Sequence, residues 1–139
     1  ENNRVGDKHM EVIKRREKRR REVIENARKW ASSLDFKTSA ILIGSYARGD
    51  FNLWSDVDIL IISDTFKGNP LERLKKIDPP PGFQIIPLNL EELEKLHSRN
   101  DILIREVLEH GVILRDDLQL RHKFPFRNEQ ILDAEKEGY

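Results

Sequence analysis

A chain of 139 residues with 25 basic and 25 acidic side chains has no formal net charge and room for one packed domain rather than two. It holds no cysteine, which excludes a disulfide framework, a thiolate metal site and a thiol nucleophile, and fits a cytoplasmic location. No apolar run approaches the length of a membrane span and no signal-peptide pattern opens the sequence, so a soluble protein with no membrane partner is expected.

The charge is unevenly spread. Residues 1–34 carry 11 Lys/Arg against 6 Asp/Glu, a net of +5, which leaves 14 against 19, or −5, for the remainder. Three regions are expected: a basic amino-terminal helix over 1–29, a catalytic-type domain over 30–116 and a tail over 117–139. Asp7 is placed to cap a helix from Lys8 to about Ser33, with Ile24, Ala27, Trp30, Ala31 and Leu34 at helical spacing. Met10 and Ile13 extend that stripe backwards, but Glu17 and Arg20 interrupt it, so the first half of the helix should project from the body. The run Lys14–Arg21, KRREKRRR, reads either as a patch for phosphates or an acidic partner, or as a solvated face. It lacks the interleaved aromatics that stack on bases, so nucleic acid is the less favoured partner.

Strands are expected near 39–43, 57–63, 83–88 and 112–114. Pro70 opens a short helix with Leu71, Leu74 and Ile77, which the run Asp78-Pro79-Pro80-Pro81-Gly82 stops. Pro87 means that the third strand ends early or lies at a sheet edge. Asn89 caps a helix with Leu90, Leu93 and Leu96, and Asn100 or Asp101 opens another that Gly111 closes. In the tail, Phe124, Phe126, Ile131 and Leu132 have no evident core to join, which points to completion by a second copy or by a helical partner. His9, His97, His110 and His122 are scattered among charged residues and form no ligand pattern.

The chemistry concentrates between Ala40 and Ser63. Gly44 and Ser45 end one apolar strand with a small-residue turn of the kind that lets backbone N–H groups approach a phosphate. Asp56 and Asp58 stand two apart where the next strand begins, so both project from one face. Two adjacent carboxylates repel unless a cation lies between them, and hard oxygen ligands suit Mg²⁺. A phosphate-binding turn beside a divalent-cation site points to nucleotide chemistry. The sequence contains neither a P-loop nor a Gly-x-Gly-x-x-Gly dinucleotide fingerprint.

Gly44-Ser45, ten intervening residues and Asp56-Val57-Asp58 together resemble the signature of the DNA polymerase β-type nucleotidyltransferase superfamily. Arg48-Gly49 and Ser55 sharpen the resemblance to its minimal nucleotidyltransferases, which are similar to kanamycin nucleotidyltransferase and to the antitoxin partners of HEPN-domain proteins. The resemblance runs from about Trp30 to Arg115, because Phe83–Pro87 and Glu109–Leu114 also resemble later family segments. It implies an α/β (α+β) fold, a small mixed sheet with helices mainly on one face. It implies Asp56 and Asp58 as catalytic metal ligands, and Gly44, Ser45, Arg48, Gly49 and Ser55 as nucleotide-binding residues. The implied reaction moves an NMP, AMP from ATP first among them, to a hydroxyl of a protein or small molecule with Mg²⁺ or Mn²⁺. One departure qualifies it: Gln84 stands where the family places a third carboxylate, and a glutamine cannot act as a base. The alternative is therefore an antitoxin-like nucleotide binder, weak or inactive in catalysis, that binds a helical HEPN-type partner.

Overall fold

The computed structural model describes residues 2–127. It opens on one continuous helix, α1 (Asn2–Ser33), which starts upstream of the expected cap. Asp7 is an interior residue of that helix, because no proline or cap interrupts the polar residues before it. The buried apolar residues of α1, Val23, Ala27 and Ala31, all lie in its second half, while Met10, Val12 and Ile13 in the first stay exposed.

Strand β1 (Ser39–Ile43) leads into a short helix, α2 (Gly44–Arg48), and then β2 (Val57–Ile62). The chain continues through α3 (Pro70–Leu74), β3 (Phe83–Leu88), α4 (Leu90–Ser98), α5 (Ile102–His110), β4 (Val112–Asp116) and α6 (Leu120–Lys123). The four strands form one mixed sheet in the order β3-β2-β1-β4. β1 runs antiparallel to both β2 and β4, while β2 and β3 are parallel. β3, with its Pro87, lies at an edge as expected, where a missing N–H costs no ladder bond.

Alternation along the central strands feeds two cores. Ala40 and Leu42 of β1, with Ile59 and Ile61 of β2, face Val23, Ala27 and Ala31 of α1 and Tyr46 of α2. Ile41, Ile43, Leu60 and Ile62 face Leu93 of α4, Ile104 and Val107 of α5, and Leu120 of α6. Helices therefore cover both faces. Three of them share one side, but the stripe of α1 needs a face of its own, so "mainly on one face" holds only in number.

The tail corrects a second expectation. Phe124 and Phe126 are each 6% exposed and belong to the second core. Asp116 brings them there, since its carboxylate accepts the N–H groups of Leu120 (2.8 Å) and Arg121 (3.2 Å) at the head of α6. Ile131 and Leu132 lie outside the described residues. Next to it at the same end of β4, Arg115 donates to the carbonyls of Ala31 (2.7 Å), Leu34 (2.9 Å) and Phe36 (3.1 Å), and so finishes α1. Among the described residues no helix is long and apolar enough to cross a membrane.

Candidate functional site

Antiparallel pairing sets Ile43, the last residue of β1, opposite Asp58 of β2. The turn that follows β1 therefore starts against the Asp58 side chain. Gly44 takes φ +76°, in the left-handed region, and a Cβ built there would lie 2.4 Å from Asp58 Oδ2. Both facts require glycine, and together they place backbone, not a side chain, beside the carboxylate. The chain then winds through α2 and leaves at Gly49, with φ +95° and its N–H donating to Ser45 O at 2.7 Å. The backbone conformation alone explains Gly49, since nothing lies near its Cβ position.

Asp58 is half-buried and Asp56, just before the strand, is exposed. Burial first, then the charges of Asp56 and Glu106, raise the Asp58 pKa above the ordinary carboxylate value, with Arg48 opposing. An apo site that disfavours its own negative charge in this way has electrostatic room for a cation. Among the described residues no group of three or more His, Cys, Asp or Glu is arranged to hold a metal. A pair of carboxylates is nevertheless what Mg²⁺ takes when nucleotide phosphates and water complete its shell. Asp56 and Asp58 fit that donor set.

Arg48, at the end of α2, pairs with Asp50 (3.2 Å) and with Glu106 of α5. The hydrogen bond it donates to Asp50 is the largest influence holding its pKa up, against burial and with help from Glu106. It thus reaches the site as a cation already engaged by two carboxylates. Glu106 was not singled out in the sequence. It sits on α5, and no local pattern in the sequence ties it to the turn 44–49. Ser45, half-buried, is the second residue of α2. Ser55 belongs to the loop itself: its hydroxyl accepts the Asn52 N–H at 2.9 Å, and Asn52 Oδ1 accepts the Trp54 N–H at 2.8 Å. That Asx turn holds up Leu53 and Trp54, which are 94% and 88% exposed.

Parallel pairing sets Gln84 directly beside Asp58 on the other side of β2. The two residues share a face, so an amide stands beside the Asp58 carboxylate. Of the histidines, His97 packs edge-on against Phe124 at 5.1 Å between ring centres, far from this chemistry in its role.

The profile of the nucleotidyltransferase domain family matches residues 20–138. No curated protein matches the chain. Among solved structures, it is similar to a provisionally assigned nucleotidyltransferase from Sulfolobus solfataricus, at 21% identity and a TM-score of 0.45, over 68% of this chain and 84% of that one. It is also similar to a toxin-antitoxin with AMP-PNP, at 22% identity and a TM-score of 0.46, over 79% of this chain and 89% of the other. With the family profile spanning all but the first part of α1 and the last residue, this chain belongs to the nucleotidyltransferase domain family.

Proposed function

We propose that the chain transfers a nucleoside monophosphate, AMP from ATP in the first instance, to a hydroxyl of a protein or small-molecule acceptor. The observation that carries this reading is the packing of Gly44 against Asp58, which sets a phosphate-binding turn and a cation-seeking carboxylate in contact. Asp56 and Asp58 would hold Mg²⁺ or Mn²⁺. When bound, such an ion neutralises charge on the phosphoryl oxygens. The turn 44–49 receives the triphosphate, with Ser45 at its head and the backbone free to approach at Gly44. Arg48 exchanges its pairing with Asp50 and Glu106 for the phosphates. The acceptor hydroxyl oxygen then bonds to the α-phosphorus as the bond from that phosphorus to the α–β bridging oxygen breaks; pyrophosphate leaves and the hydroxyl proton passes to solvent water.

Gln84 favours a second reading. Its amide can orient an acceptor hydroxyl by hydrogen bonding but cannot take the proton, which supports a protein that binds nucleotide with little turnover and acts through a helical HEPN-type partner. The exposed Met10, Val12 and Ile13 on the projecting half of α1 would suit such a partner. One experiment separates the two. Wild type and Asp58→Asn are incubated with α-labelled ATP, Mg²⁺ and cell lysate, beside a calorimetric titration with ATP. Transferred label that disappears in the variant establishes transfer. ATP binding without label in any acceptor establishes the binder, and no binding overturns both.

A further inference from the structure

The basic run of α1 makes contacts that neither the reaction nor a solvated face explains. A five-residue helix such as α2 satisfies almost none of its own carbonyls. Four carbonyls in and just after it find their partners on α1. Arg20 donates from Nε to Tyr46 O at 2.8 Å and from Nη2 to Ala47 O at 3.0 Å. Arg16, one helical turn earlier on the same face, donates from Nη2 to Gly49 O at 3.1 Å and to Phe51 O at 3.0 Å. The Arg16 guanidinium also lies 4.4 Å from the centre of the Phe51 ring, which stacks on Tyr46 at 4.5 Å. Burial lowers the pKa of Arg20, and the two carbonyls give its half-buried guanidinium hydrogen-bond partners there.

Resting on the function proposed above, we infer that Arg16 and Arg20 are positioning residues for the nucleotide site. They fix the turn 44–51 in the shape that receives the triphosphate, acting from the face of the sheet opposite Asp58. The Gly49 N–H closes the turn on Ser45 O, the Tyr46–Phe51 stack anchors its far end and Arg48 ties it to Glu106, while the carbonyls of Tyr46, Ala47, Gly49 and Phe51 are held from α1. Cations at a helix carboxyl end are also favoured by the helix dipole. The interruption of the apolar stripe at Arg20 is thereby explained: the position faces α2, and a carbonyl ligand serves there better than an apolar side chain.

The test titrates the full chain with ATP and Mg²⁺ in four forms: wild type, Arg20→Gln, Arg20→Lys and Arg21→Gln. Amide hydrogen exchange is followed in parallel. Arg20→Gln is expected to bind ATP about tenfold more weakly, as loss of charge-assisted hydrogen bonds allows. Arg20→Lys should lose nearly as much, because an ammonium lacks the planar fork that serves two carbonyls at once. Arg21→Gln, which removes the same charge from an exposed position, should bind as wild type does. Exchange should quicken at 44–51 in both Arg20 variants and stay unchanged in β1 and β2. Wild-type affinity in Arg20→Gln would overturn the inference. So would full rescue by lysine, since charge at a distance would then suffice. Should Arg20→Gln fail to fold, Arg16→Gln, at an exposed position, carries the same comparison with a smaller loss. If wild type itself binds no ATP, the function proposed above fails, and unchanged exchange at 44–51 in Arg20→Gln would then overturn the clamp as well.

Discussion

Burial and two neighbouring carboxylates, Asp56 and Glu106, all raise the pKa of Asp58, and only Arg48 opposes them. A carboxyl whose pKa is raised by folding makes the fold less stable where it is ionised. That cost is relieved as pH falls through the raised value toward the ordinary 3.8. Asp58→Asn should therefore stabilise the metal-free protein slightly near neutral pH, by about 1 kcal/mol or less given the partial exposure of the group. The same variant should lose the stabilisation that Mg²⁺ with ATP gives wild type by mass action. Thermal melts near neutral and at mildly acidic pH, with and without ligand, check both halves. A variant that melts lower than wild type without ligand would show Asp58 to be structural. The approach of Gly44 to Asp58 follows from the sequence, because the short pairing of β1 with β2 fixes it. That of Glu106 to Arg48 does not, because only the docking of α5 brings it there.

At the scale of elements, α4 shows how local and tertiary signals combine. Asn89 caps it by accepting the Glu92 N–H at 2.9 Å, and Glu92 returns the bond to the Asn89 N–H at 2.9 Å. The Asn89 cap was read from the sequence, without the answering bond of Glu92. The second role of Glu92 was not: it pairs with Arg73 of α3, whose side chain is 7% exposed and also donates to Pro87 O. Burial pushes the Glu92 pKa up, but the Asn89 N–H and Arg73 outweigh it and the net shift is downward. The stability it gives is present above the ordinary value of 4.5 and lost as pH falls through the lowered one. Glu92→Gln should cost about 1–2 kcal/mol near neutral pH, from a weakened cap and a buried guanidinium left short of its partner. Urea melts should show the gap closing as the solution is acidified. Gly111 teaches a different lesson. It ends α5 as expected, yet its backbone is not left-handed. Glycine stands there because a Cβ would meet Val107 O at 2.3 Å and Ile41 Cγ2 at 2.8 Å, a tertiary reason hidden from the sequence.

The whole molecule is a sheet with an apolar core on each side, and the second core depends on the end of the described chain. Phe124→Ala should cost about 3–5 kcal/mol, as removal of a buried aromatic does. Denaturant unfolding measures it. A loss under about 1 kcal/mol would mean that the tail is not part of the cooperative unit. The sequence did not reveal this packing because Phe124-Pro125-Phe126 has neither helical nor strand period, and its partners on β1, α4 and α5 lie far back in the chain. Those two aromatics are now accounted for within the chain, so they no longer call for a second subunit. The exposed Met10, Val12 and Ile13 of α1, and Leu53 and Trp54 beside the site, remain the apolar surface that a partner could use.

The contact between Arg115 and the end of α1 has a kinetic side. Its longest bond joins residues 84 positions apart, so the last turn of the first helix is closed by a residue of the last strand. A nascent chain can wind α1 early, but those carbonyls stay open to water until β4 has paired with β1. Closing a loop of that length is slow compared with local helix growth. The amino-terminal helix is therefore expected to complete its carboxyl end late in folding, and Arg115→Gln should speed unfolding more than it slows folding, which stopped-flow kinetics in urea would measure.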